Sequence, residues 1–286
     1  MVDKVGVIGA GLMGSEIALV FALAGKDVLL SDSSEDALAR AKSKLEGVLQ
    51  RGVGRGFYEV DQVESTLARI RTTTDLATYS DRDLVIEAVF EDESVKAKVF
   101  ETLDGVVPAD CIIASNTSSI SITALSSHVS PERRGRFVGT HFFSPVSRMK
   151  LVEVIPAMDT AAETVEATIA LCREAGKTAI KVKDVVGFAV NRVLHALVIE
   201  AIRLVEEGVA TPEDIDLACK LGLGHPIGPF QLLDATQNSL SLQVQGILNE
   251  AYGERFKPRP LLKQMVQAGY NGKRAGRGWY KYDKKD

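Results

Sequence analysis

The residues best placed to move a proton are His141 and Glu153. His141 stands in Gly139-Thr140-His141-Phe142-Phe143-Ser144-Pro145, at the end of an apolar run that reads as a strand. Ligands of an open α/β sheet gather at the carboxyl ends of its strands. An imidazole, with an ordinary pKa of about 6.5, can accept a hydroxyl proton near neutral pH. A lone histidine in such a run is more often a hydrogen-bonded core residue, and Glu153 tips the balance. In Leu151-Val152-Glu153-Val154-Ile155 it shares a strand face with Leu151 and Ile155. Burying a carboxylate there costs several kcal/mol unless something pairs with it, and the preceding strand and connector can bring His141 alongside. A His–Glu pair fixes the ring's tautomer and stabilises the imidazolium. The alternative reading is an edge-strand glutamate facing water.

A second chemical feature is Gly9-Ala10-Gly11-Leu12-Met13-Gly14. The GxGxxG spacing alone is weak. Here it follows an apolar strand, Val5–Ile8, opens a helix, and is followed about 20 residues on by an acid, Asp32, that ends the next strand. Gly9 permits a tight turn, Gly11 lets the backbone approach a pyrophosphate, and Gly14 lets helix pack on strand, with the helix amino terminus facing the phosphates. Gly9, Gly11, Leu12, Met13 and Gly14 are therefore expected to bind a dinucleotide. Asp32 would accept hydrogen bonds from the adenosine ribose and repel a 2′-phosphate; with no arginine after it, NAD is favoured over NADP.

These groups need a scaffold, and the pattern supplies one. Strands are expected at Val5–Ile8, Val28–Ser31, Leu84–Ala88, Cys111–Ser115, Phe137–His141, Leu151–Ile155 and Ala179–Val182, with helices at Leu12–Ala24, from Ser34 to about Gln50, and at Val60–Ala68, Glu93–Leu103 and Glu163–Ala175. This alternation predicts an α/β, Rossmann-type doubly wound sheet. After Asp184 the pattern turns helical: Phe188–Glu207, a helix capped by Thr211, then Phe230–Tyr252 and Pro260–Ala268. The expected division is a dinucleotide-binding domain over residues 1–186 and a smaller all-helical domain over 187–286. The length of 286 residues is itself long for one core.

A net charge of −4 argues against a nucleic-acid partner. Cys111, Cys172 and Cys219 form no CxxC pair, and the four histidines are scattered, so neither a disulfide framework nor a metal site is expected. His128, His195 and His225 have no neighbour that suggests chemistry. The apolar Val5–Leu30 stretch is interrupted by Glu16, Lys26 and Asp27, so it reads as neither a signal nor a span. A soluble, cytoplasmic protein with no membrane partner is expected.

The chain resembles the L-3-hydroxyacyl-CoA dehydrogenases, in particular the short-chain 3-hydroxybutyryl-CoA type. The resemblance runs nearly end to end, through Gly9–Gly14, Ile86-Glu87-Ala88-Val89-Phe90-Glu91, Ala114-Ser115-Asn116-Thr117-Ser118-Ser119, His141–Pro145, Leu151–Val154, Gly187–Arg192, Gly224–Pro229 and Gly272–Gly278. It implies reversible NAD-dependent oxidation of a 3-hydroxyacyl-CoA in fatty acid metabolism, with His141 as catalytic base and Glu153 as its partner. Ser118 and Asn191 would hydrogen-bond the reacting oxygens, Ser118 also lying near the nicotinamide. Glu91, Lys96 and Arg274 match cofactor contacts. Arg51 and Arg55 lie in the segment that meets coenzyme A, and the helical domain is expected to form a homodimer. Read without the resemblance, Ser118 and Ser119 are helix caps, Asn191 a local cap, Lys96 a solvated lysine, and Arg51 and Arg55 an exposed basic loop.

Three positions depart from the family pattern. Ser144 stands where a cofactor-contacting asparagine is usual, and being shorter it is expected to reach the cofactor through a bridging water. Leu233-Asp234-Ala235-Thr236-Gln237-Asn238 replaces a stretch that usually has Gly-Leu-Asp after the aspartate, and Trp279 replaces a phenylalanine. Two other readings stay open: a dehydrogenase of a free hydroxy acid or sugar acid, of the crystallin-related branch, and a catalytically silent NAD-binding protein.

Overall fold

The computed structural model describes residues 2–282. A first compact unit runs to Val185 and a second begins at Val186.

In the first unit the chain forms β1 (Lys4–Ile8), α1 (Leu12–Leu23), β2 (Asp27–Ser31), α2 (Glu35–Val53), α3 (Val60–Ala68) and β3 (Ile70–Thr73). There follow β4 (Leu84–Glu87), α4 (Glu93–Val106), β5 (Ile112–Ser115), α5 (Ile122–Ser126), β6 (Phe137–Phe142), β7 (Leu151–Pro156), α6 (Ala162–Glu174) and β8 (Thr178–Lys181). The strands make one eight-stranded sheet in the order β3-β2-β1-β4-β5-β6-β7-β8. Every neighbouring pair is parallel except β6 and β7, which are antiparallel. The chain reverses its direction of travel between β1 and β4, which opens a crevice at their carboxyl ends.

Buried parallel strands are continuous apolar runs, and β1, β4 and β5 have that character. Helix α1 is buried on nearly all sides, because the sheet lies on one side of it and α2 and α3 on the other. Ser34 caps α2, its hydroxyl accepting from Ala37 N at 3.2 Å. Strand β3 was not expected: only Ile70 of Ile-Arg-Thr-Thr is buried, so this edge strand carries no apolar alternation.

The second unit consists of α7 (Val190–Glu206), α8 (Pro212–Gly222), α9 (Pro229–Thr236), α10 (Asn238–Tyr252) and α11 (Pro260–Gln267). Val198, Ile202, Ile215, Phe230, Leu233 and Leu262 form its main core. Thr211 caps α8 as expected, accepting from Asp214 N at 3.2 Å. Helix α7 starts later than expected, because Phe188 has φ +47° and lies outside it.

The single helix expected over Phe230–Tyr252 is two helices, broken at Gln237 with φ +98°. Its apolar period continues across the break, so the pattern does not show it. What stabilises the break is remote in sequence: Asn271 accepts from Ser239 N at 2.7 Å and from Asn238 N at 3.3 Å, supplying the cap that α10 lacks. The same tail is seated on buried Asp234, which accepts from Trp279 N, Tyr280 N and the Tyr282 hydroxyl, each at 3.0 Å. Trp279 also donates its indole N–H to Asn238 Oδ1 at 3.0 Å.

Candidate active site

The glycine turn lies at the crevice between β1 and β4. Gly9 has φ +102°, and a Cβ there would collide with the Ala88 carbonyl. A Cβ on Gly14 would overlap the Gly9 carbonyl oxygen, whereas one on Gly11 would meet nothing within 4 Å. Gly11 thus borders open space at the start of α1, and no side chain caps that helix. The first amides of α1 are left for an anion, which fits a dinucleotide pyrophosphate. Asp32 closes the turn from β2: its Oδ2 accepts from Ala10 N at 2.9 Å and its Oδ1 from Ser34 N at 3.0 Å. A carboxylate has about four acceptor positions, so two remain for ribose hydroxyls.

Strand β4 ends in a carboxylate that the sequence reading left without a role. Glu87 is fully buried between β1 and β5. It accepts from Lys96 Nζ at 2.7 Å, from the Ser115 hydroxyl at 2.7 Å and from Val89 N at 2.7 Å. Lys96 is therefore an interior cation, neither solvated nor pointed at open space; its ammonium is directed at Glu87 and, at 3.4 Å, at Glu91. Glu91 Oε1 accepts from the Thr117 hydroxyl at 2.6 Å, Ser118 N at 2.8 Å, Ser119 N at 2.9 Å and the Ser119 hydroxyl at 3.0 Å. Burial opposes the charge on Glu91, but Lys96 and these donors outweigh it and hold the carboxyl below the usual glutamate range. The ionised carboxylate fixes the loop that carries Ser118.

His141 and Glu153 are direct register partners on antiparallel β6 and β7. Glu153 is fully buried and its Oε2 lies 2.8 Å from His141 Nδ1. The other ring nitrogen, Nε2, is 3.1 Å from the Ser118 hydroxyl oxygen. Asn116, not singled out from the sequence, accepts from Phe142 N at 2.9 Å and ties the loop after β5 to the end of β6. The Phe143 ring packs 4.6 Å from the imidazole. Glu91, Ser118, His141 and Glu153 are thus joined in one chain of contacts.

The remaining site residues are placed as follows. Ser144 is exposed just beyond β6. Arg51, in the last turn of α2, and Arg55, just after it, line a groove of about 590 Å³ together with Tyr58, Arg148 and Lys150. Asn191 lies in the first turn of α7, and Arg274 is exposed on a short 3-10 turn at Lys273–Ala275, both in the second unit. Among the described residues no His, Cys, Asp and Glu cluster is suited to a metal, and no helix is long and apolar enough to cross a membrane.

A glycine turn closed by an acid at the reversal point of a mostly parallel sheet defines an NAD-binding oxidoreductase of the Rossmann class. Residues 4–185 match the family model for the NAD binding domain of 3-hydroxyacyl-CoA dehydrogenase, and residues 187–282 match the model for its C-terminal domain. The chain belongs to the 3-hydroxyacyl-CoA dehydrogenase family. It is 42% identical over 283 residues to a probable 3-hydroxybutyryl-CoA dehydrogenase of Deinococcus radiodurans, covering 98% of this chain and 100% of that one. It is 41% identical to the mitochondrial hydroxyacyl-coenzyme A dehydrogenase of Sus scrofa, covering 99% of this chain and 92% of that one. The crystal structure of (S)-3-hydroxybutyryl-CoA dehydrogenase from Ralstonia eutropha superposes with a TM-score of 0.95 at 40% identity, covering 99% of this chain and 100% of that one.

Proposed function

We propose that the chain catalyses the reversible oxidation of an L-3-hydroxyacyl-CoA to the 3-ketoacyl-CoA, with His141 as general base and Glu153 as its partner. The observation that carries this reading is the file Glu153 Oε2, His141 Nδ1, His141 Nε2 and Ser118 Oγ, with contacts of 2.8 Å and 3.1 Å. An ionised carboxylate only accepts, so Nδ1 carries the ring proton and Nε2 presents its lone pair. A 3-hydroxyl entering beside Ser118 meets that lone pair and gives up its proton to Nε2. The charge gained by the ring lies against Glu153, which is buried with it, where the attraction is stronger than in water. Once Nε2 is protonated, the Ser118 hydroxyl turns its hydrogen to the substrate oxygen, and Asn191 adds a second donor to the reacting oxygens.

NAD, held at the turn, supplies the hydride acceptor. Gly9, Gly11, Leu12, Met13, Gly14 and Asp32 hold its adenosine and pyrophosphate end, with Glu91, Ser118, Ser144 and Arg274 completing the contacts. Lys96 acts through Glu91 in this scheme. Arg51 and Arg55 take phosphate oxygens of coenzyme A, for which the guanidinium fork is suited. In this reading the helical domain serves substrate binding and joins two copies into a homodimer, and the enzyme works in the cytoplasm.

The test follows NADH absorbance with acetoacetyl-CoA, longer 3-ketoacyl-CoAs and free 3-keto acids. Turnover of the thioesters is expected, and loss of it in His141→Ala with the fold preserved. Turnover confined to the free acids, or unchanged in His141→Ala, overturns the reading.

A further inference from the structure

We infer that the connector between β6 and β7 is a second phosphate-binding wall for coenzyme A, carried by Arg148 and Lys150; this rests on the acyl-CoA reading above. The groove of about 590 Å³ lies wholly within the first unit, and ligand sites commonly measure roughly 300–1,000 Å³. Arg51 and Arg55 come from the end of α2, Arg148 and Lys150 from the connector, and Tyr58 and Ser147 line the groove with them. All four cations are exposed, and among the described residues none has an ion-pair partner. The acid in the groove, Glu16, is already engaged: it accepts from Ser147 N at 3.1 Å and from the Ser147 hydroxyl at 3.3 Å, and pairs with Lys44 at 3.4 Å. The groove is therefore short of anions, with positive charge contributed by two separate chain segments.

The connector is fixed in place from behind. Buried Lys177 donates to the carbonyls of Val146 and Met149, the latter at 2.9 Å. Arg148 N and Met149 N donate to the Pro145 carbonyl at 3.0 Å and 2.9 Å. With its backbone held by Lys177 and Glu16, the segment presents Arg148 and Lys150 outward. Coenzyme A carries a pyrophosphate and a separate 3′-phosphate, so one basic wall cannot neutralise both ends, and two walls can. The assignment has a further consequence. The connector leaves β6 just after His141 and enters β7 just before Glu153, so the hairpin that recognises the nucleotide also carries the proton-transfer pair.

The experiment compares acetoacetyl-CoA with acetoacetyl-pantetheine, which has no nucleotide phosphates, in wild type, Arg148→Gln, Lys150→Gln and the double variant. Each single variant is expected to lower the kcat/KM preference for the coenzyme A thioester about tenfold, the worth of a charge-assisted hydrogen bond, and the double variant more. Adenosine 3′,5′-bisphosphate is expected to compete in wild type and to lose at least tenfold in affinity in the double variant. Lys150→Arg, which keeps the charge, should retain the preference, and NADH saturation in the same variants reports on the fold. An unchanged preference in the double variant, with wild type active on acetoacetyl-CoA, overturns the second wall alone. A wild type inactive on acetoacetyl-CoA overturns the acyl-CoA reading with it.

Discussion

Glu153 faces His141 across one rung of an antiparallel ladder, so main-chain hydrogen bonds between β6 and β7 set the separation of carboxylate and imidazole. Replacing Glu153 by glutamine keeps the shape but offers Nδ1 either a neutral acceptor or an amide donor. The donor would stabilise the tautomer protonated on Nε2, which cannot act as base. Glu153→Gln is expected to lower kcat by on the order of 10²–10⁴, the range that such orienting carboxylates command, with a smaller change in KM. Steady-state reduction of acetoacetyl-CoA measures it; a kcat within twofold of wild type would contradict the role.

Asp32 closes the glycine turn and, in the proposed function, receives the ribose. Asp32→Ser removes the charge that repels a 2′-phosphate and weakens two loop contacts, to Ala10 N and Ser34 N. The KM for NADH is expected to rise about tenfold or more, the equivalent of one charged hydrogen bond, and the preference for NADH over NADPH to shrink. Parallel titrations with the two cofactors check this.

His195 gives the helical unit a pH dependence of its own. Burial lowers its pKa from 6.5 to about 4, and its Nδ1 lies 3.5 Å from the Ser241 hydroxyl. The unfolded chain takes up a proton at this ring first as pH falls, so the stability contributed by the neutral buried ring is present above pH 6.5 and is lost as pH falls through about 4. The slope attributable to this group is at most about 1.4 kcal/mol per pH unit. Denaturant unfolding of wild type and His195→Gln across that interval should show a shallower slope in the variant.

Gln237 holds φ +98°, a backbone region that favours glycine. A side chain in that region is strained by roughly 1–3 kcal/mol, and glycine relieves it at the expense of a more flexible unfolded chain. Gln237→Gly is expected to stabilise the protein by about 1 kcal/mol, read as a higher urea midpoint. A lower midpoint would mean that the Gln237 side chain contributes more than its backbone strain takes away.

Much of the fold is legible because buried parallel strands and amphipathic helices write their burial directly into residue order, as Val5–Ile8 and Leu84–Ile86 do. Edge strand β3 is illegible for the same reason: one buried residue makes no pattern. The helix break at Gln237 depends on Asn271, and no local window contains both. Glu153 attracts notice as a charge inside an apolar run. Glu87 does not, because a polar residue at a strand end is ordinary, and only its partners Lys96 and Ser115 show it to be the centre of a buried network. Trp279 and Asn238 look like unrelated departures from the family pattern, yet they are hydrogen-bond partners: phenylalanine could not donate to Asn238 Oδ1. Arg148 and Lys150 escaped notice because basic residues in a short connector look solvated until the opposite wall is in place.

Asp234 imposes an order of assembly on the helical unit. Its carboxylate is made with α9 and meets Asn238 Nδ2 at 3.3 Å, but its other donors, Trp279 N, Tyr280 N and the Tyr282 hydroxyl, come dozens of residues later in synthesis. Until those residues leave the ribosome, the nascent unit holds an acid that it cannot bury without a penalty of several kcal/mol. The helical unit therefore reaches its final packing only after Tyr282 has been synthesised, while the sheet domain has its last strand, β8, about a hundred residues earlier.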